Sequence, residues 1–144
     1  MANTLDFLKD LAQQHGQAVA MQENDIQVSY EELATAVHAL AVALQMRDPT
    51  PGSRVALCAL NSLEYLVSVL AIEAAGKALL PLDPHAKTET LHALLQAGLP
   101  GVVILDETAE RLLPMDDDYK ITFSQFPGLV HTYRDHPFPV EILA

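Results

Sequence analysis

The sequence predicts an α/β fold, a mainly parallel sheet with helices on both faces. Three observations carry that prediction. Helical and strand patterns alternate three times between Val28 and Leu105, the rhythm of βαβ units. The strand candidates Arg54–Ala59, Ala78–Leu82 and Val102–Leu105 are nearly continuous apolar runs, as strands covered on both faces are. Glycines or prolines punctuate the intervals between them.

Taken in order, Asn3 can cap a first helix in which Leu5, Leu8, Leu11 and Ala12 share a face, with Gly16 ending it. Ala18–Met21 and Ile26–Val28 flank the polar cluster Glu23-Asn24-Asp25, which predicts a short hairpin. Ser29 and Glu32 have capping-box spacing, and the helix they open carries Leu33, Val37, Leu40, Ala41 and Leu44 on one stripe to about Met46. Asp48-Pro49-Thr50-Pro51-Gly52 turns the chain into the Arg54–Ala59 strand.

The stretch Asn61–Asp83 reads as a helix, a glycine stop and a strand. Asn61 is the expected cap, Leu66, Val67, Leu70 and Ala74 the expected inward face, and Gly76 the left-handed stop. Ala78–Leu82 should be covered on both faces. A further helix around Thr88–Gln96 points Leu91, Leu94 and Leu95 inward and stops at Gly98. Residues 1–106 form the α/β core on this reading. Residues 107–144 are an irregular, acidic and proline-containing extension of the same domain: a short helix from Thr108 to Leu113, a solvated Asp116–Asp118 loop, an edge strand at Ile121–Phe123, and irregular chain around Pro127, Pro137 and Pro139.

Composition narrows function. The 144 residues carry 19 Asp and Glu against 8 Lys and Arg, a net charge of -11, which repels phosphate backbones and argues against nucleic-acid binding. A single cysteine, Cys58, excludes an internal disulfide and fits a reducing compartment. There is no basic segment followed by an apolar core at the N-terminus, and the apolar run Tyr65–Ile72 is too short to span a bilayer. The expectation is a cytoplasmic protein without a membrane partner.

Chemistry is sparse. A phosphate cradle needs several backbone N–H groups converging, which takes closely spaced glycines before a helix. The glycines stand at 16, 52, 76, 98, 101 and 128, and only Gly98 and Gly101 are near each other, ahead of a strand. His85 and His92, or His131 and His136, lack the i,i+4 spacing of helical metal ligands, so surface histidines and no metal site are expected. Cys58 lies in a buried strand with no activating base, no G-x-S-x-G elbow occurs, and Lys77 is expected to face solvent. No catalytic, cofactor-binding or metal residue is assigned.

Four segments in register resemble a known family. Val28-Ser29-Tyr30-Glu31-Glu32-Leu33 is similar to the first motif of the adenylate-forming enzymes, which include acyl-CoA synthetases, peptide-synthetase adenylation domains and luciferases. Pro51–Leu57 resembles the turn and strand that follow it. Asn61–Tyr65 and Ile72–Asp83 resemble the second motif with its helix. The resemblance covers about residues 1–106 and implies a partial N-terminal subdomain of such an enzyme.

It further implies activation of a carboxylate by ATP, with Mg, to an acyl-adenylate and usually transfer to a thiol. The groups that do this in the family, a Ser/Thr/Gly-rich phosphate loop, an aromatic-Gly-x-Thr-Glu motif, a ribose-binding aspartate and a lysine on a mobile domain, find no match in these residues. The expectation is therefore an N-terminal ligase segment, inactive alone. Two alternatives stand beside it. One is a non-catalytic module that self-associates or binds a complementary segment. The other is a small binder whose ligand sits at the carboxyl ends of the strands, near Asn61 and Asp83-Pro84-His85.

Overall fold

The computed structural model describes residues 4–140. Its elements are α1 (Thr4–His15), β1 (Val19–Glu23), β2 (Ile26–Ser29), α2 (Tyr30–Arg47), β3 (Arg54–Cys58), α3 (Leu63–Ala74), β4 (Ala78–Leu82), α4 (Thr88–Gly98), β5 (Val102–Leu105), α5 (Glu107–Leu112), β6 (Lys120–Thr122) and α6 (Phe126–Tyr133). Strands β4-β3-β5-β6 form a parallel sheet in that order, and β1-β2 is a separate antiparallel hairpin. The expected Asn3 cap lies outside the described residues.

Alternation along the strands divides the core into two layers. Val55, Leu57, Val102, Ile104 and Ile121 face a layer built with α1, α2, α3 and α6. Ala56, Cys58, Val103 and Leu105 face the other way, onto Leu91 of α4 and Ala109 of α5. Each large side chain fully buried here, such as Leu57 or Ile104, contributes roughly 1.5–3 kcal/mol. Helices thus cover both faces, as expected.

Helix α2 opens on the expected capping box: Ser29 Oγ accepts from Glu32 N, and Glu32 Oε1 accepts from Ser29 N. Its second half is buried on all sides through Ala39–Gln45, because α1, α3 and α6 all pack on it. A single apolar stripe was therefore too narrow an expectation. Small side chains at Ala39, Ala41 and Ala43 let the neighbouring helices close in.

Helix α3 departs from expectation at its start. Ser62, not Asn61, is the N-cap, its hydroxyl accepting from Tyr65 N. Of the expected inward face, Val67, Leu70 and Ala74 do pack on the core, joined by Ser68, Ala71 and Ile72, while Leu66 is 43% exposed. The stop is as read. Gly76 takes φ 71°, Gly76 N donates to Glu73 O and Lys77 N to Ile72 O, the paired bonds of a Schellman ending.

The strand that follows is not covered on both faces. β4 is an edge of the sheet, with Ala78, Leu79 and Pro81 exposed. Pro81 is tolerated because a missing N–H can face away from the ladder at an edge. Apolar composition cannot distinguish an edge strand from a central one, whereas hydrogen-bond partners do.

Two further expectations differ from the structure, the stop of α4 and the chain around Pro127. In α4 Leu91 is fully buried and Leu95 packs partly buried beside it, but Leu94 is 42% exposed, and the left-handed residue is Leu99 (φ 47°) instead of Gly98. Gly98 serves packing: a Cβ there would lie 2.5 Å from Leu80 Cδ2. Around Pro127 the chain is helical, since proline is accommodated in the first turn of α6, where an N–H is not needed.

Candidate functional site

The carboxyl ends of β3 and β4 open into a cleft of about 450 Å³, lined by Ala59, Leu60 and Asn61, by Tyr65, and by Pro81–His85. The fold places it there because both parallel strands end at this level, and α3 starts beside them. The structure thus brings together Asn61 and Asp83-Pro84-His85, the polar residues that sequence reading singled out after the strands. Their chemistry is modest. Asp83 Oδ1 accepts from His85 N at 2.8 Å, a local turn that fixes the loop. Asn61 and His85 are exposed.

One crevice away lies the switch point of the sheet. The connection from β3 runs to β4 on one side and that from β5 runs to β6 on the other, the arrangement that in open α/β sheets leaves room for a ligand. Here the room is filled by Asp106. Its Oδ2 accepts from Leu60 N at 2.9 Å and its Oδ1 from Ala109 N at 2.8 Å, so one carboxylate ties the loop after β3 to the start of α5. Sequence reading missed this role, although Asp106 three residues before Ala109 has N-cap spacing.

Cys58, at the end of β3, is fully buried. Burial, with Asp106 and Asp83 adding to it, pushes its thiol pKa up to about 11. Its burial in the strand is as expected, and it packs there as a small apolar side chain.

Lys77 overturns its expectation. Only 8% exposed, it turns its ammonium into the loop before β3 and donates to Asp48 O, Thr50 O and Ser53 Oγ. Burial holds its pKa below the ordinary lysine value, with Asp48 opposing. Sequence offered little signal for this, because two of the three acceptors are main-chain carbonyls that any residue supplies.

A larger concavity of about 700 Å³ lies between the hairpin, α2, the first turns of α3, and α6. Its floor is apolar, including Val28, Leu40, Val67 and Phe126. Of its polar groups, Ser29 and Glu32 are engaged in the capping box and Glu31 Oε2 accepts from Gln17 Nε2. His85, His92, His131 and His136 lie on four different segments, and among the described residues no three of His, Cys, Asp or Glu cluster as a metal site.

Comparison with known proteins identifies the frame. The family model for "AMP-binding enzyme" matches residues 8–133. The nonribosomal peptide synthetase otaB of Aspergillus niger is 36% identical over 111 residues, 77% of this chain and 6% of that protein. A Rhodococcus jostii enzyme named as a methyl-dioxo-octahydroindenyl-propanoyl:CoA ligase is 30% identical over 102 residues, 70% of this chain and 20% of its own length. The N-terminal domain of FACL13 from Mycobacterium tuberculosis superposes with a TM-score of 0.82 at 19% identity, over 100% of this chain and 39% of that one. The chain spans between 1% and 20% of the length of the curated relatives it matches. The chain belongs to the AMP-binding enzyme family, of whose fold it forms an N-terminal part.

Proposed function

We propose that this polypeptide is the N-terminal scaffold of an ATP-dependent, carboxylate-activating ligase and does not carry out that reaction by itself. Relatives named as peptide synthetases and as a CoA ligase support the reaction class. The observation that carries the second half is how the polar groups near the sheet's carboxyl edge are used. Asp83 is engaged by a backbone N–H group of its own loop, and Asp106 by one at the start of α5 and one in the loop after β3. None of the six glycines converges with another on an anion cradle: Gly76 ends a helix, Gly98 packs on Leu80, and Gly52 turns a loop at φ 72°.

Loss of even one preorganised donor to developing charge typically slows such a reaction by about a hundredfold or more. The experiment is carboxylate-dependent ATP–pyrophosphate exchange by the purified 144-residue chain with Mg across a panel of carboxylic and amino acids. No exchange above a heat-killed control is expected, and exchange above it overturns the proposal.

A second reading, a non-catalytic module that associates with itself or with a complementary segment, draws on the open β4 edge and the apolar groove beside α6. Sedimentation of the same sample discriminates: a strict monomer at high concentration counts against self-association.

A further inference from the structure

We propose that His38 is an acid-sensitive fastener that holds the strap formed by residues 134–140 against α2. The strap leaves the end of α6 and runs back along α2, from His38 at one end to Gln45 at the other. At the first end, His38 Nε2 lies 2.7 Å from His136 O, and the His38 ring meets the Phe138 ring edge-on at 4.9 Å. At the second end, Val140 N donates to Gln45 Oε1 at 3.0 Å, while Gln45 Nε2 donates to Ala75 O at the end of α3. Phe138 packs on the core between these points.

The contacts at His38 select one protonation state. His136 O can only accept, so Nε2 must carry a hydrogen. Lys9 Nζ, 3.3 Å from Nδ1, can only donate, so Nδ1 must be bare. The neutral Nε2–H tautomer alone satisfies both partners. A proton on Nδ1 removes the acceptor that Lys9 uses and sets two cations side by side.

The charged groups acting on the ring are Lys9 from α1 and Asp135 and His136 from the strap. Burial, the largest influence, and then Lys9 and His136 hold the His38 pKa below the ordinary histidine value, against the His136 carbonyl and Asp135, which raise it. An imidazolium would donate more strongly to His136 O, but burial and the facing ammonium outweigh that gain. The sign follows. With a depressed pKa in the closed state, the fastening is fully present above the ordinary histidine value. It weakens as pH falls through that value towards the folded-state pKa.

Opening would withdraw Phe138 from the core and leave Oε1 of the buried Gln45 without its donor. The strap therefore couples the pH at His38 to the place where α2 meets the end of α3.

The test is amide hydrogen exchange at Val140 by NMR on the 144-residue chain, corrected for intrinsic rate, between about pH 7.5 and about pH 5.5, the range in which histidine titrates. Protection at Val140 is expected to fall by about three- to tenfold, the fold-change of losing one ordinary hydrogen bond. It should stay flat in His38→Gln, whose amide can replace both contacts without titrating, and still fall in His136→Gln, which leaves the carbonyl in place. A flat wild type, an undiminished fall in His38→Gln, or a fall abolished by His136→Gln overturns the proposal. The wild-type imidazole titration gives a check that needs no variant: Val140 protection must fall in the interval between the ordinary histidine value and the midpoint observed for the His38 imidazole, and a fall that lies outside that interval equally overturns the proposal.

Discussion

Replacing Lys77 by methionine tests the loop-pinning role of its buried ammonium. Methionine keeps an unbranched apolar stem, one atom shorter, but loses the ammonium and all three of its donors. Each hydrogen bond from a charged group is worth about 1.5–3 kcal/mol before discounts. Two discounts apply. Burial lowers the lysine pKa, so part of the gain is offset by desolvation. Thr50 is exposed, so water can replace the ammonium at its carbonyl.

What remains is a net loss of about 2 kcal/mol. With a urea m-value of roughly 2 kcal/mol/M for a chain of this size, the midpoint by circular dichroism should drop by about 1 M. Lys77→Arg should recover only part of this, since a planar fork cannot aim at three acceptors around one nitrogen. Hydrogen exchange adds a local readout. Lys77 holds the loop whose Gly52 N donates to Gly76 O and whose Ser53 O accepts from Ala78 N, so both amides should lose protection. A methionine variant as stable as the wild type, with these amides still protected, would refute the reasoning.

Two further predictions address helix ends. Ser62→Ala should cost about 1 kcal/mol, whereas Asn61→Ala should stay within about 0.5 kcal/mol of wild type, because Ser62 holds the α3 cap. Urea titrations of the two variants side by side decide which residue caps. Leu99→Gly should stabilise by about 0.5 kcal/mol: Leu99 sits at φ 47° and 80% exposed, so relief of left-handed strain exceeds the added freedom of the unfolded chain. A fall in melting temperature for that variant would contradict the strain assigned to it.

Features set by neighbours in sequence were legible. The Ser29–Glu32 box, the hairpin about Asn24 and the Gly76 stop each depend on contacts within a few residues, and each stands where the residues put it. Legibility failed where several local solutions were available. Asn61 and Ser62 are both good caps, and nothing local chooses between them. Gly98 and Leu99 compete in the same way. The close approach of Leu80 places Gly98 inside the helix and leaves the left-handed conformation to leucine. At the candidate site, Asn61 and Asp83–His85 were visible as polar residues following strands. The double bond of Asp106 to Leu60 N and Ala109 N was not, because one of its donors lies 46 positions away.

Sequence by itself determined the class of fold, the order of its elements and the family, because periodicity, caps and turn residues act over one or two turns of chain. Tertiary structure alone decided that β4 lies at an edge, that α2 is enclosed by three helices, and that Lys77 is a buried fastener. Each of these depends on which segment becomes the neighbour. Apolar runs such as Ala78–Leu82 specify that a surface must be covered, but hydrophobic attraction has no direction and names no partner. Main-chain carbonyls, two of the three acceptors that hold Lys77, are the same at every residue.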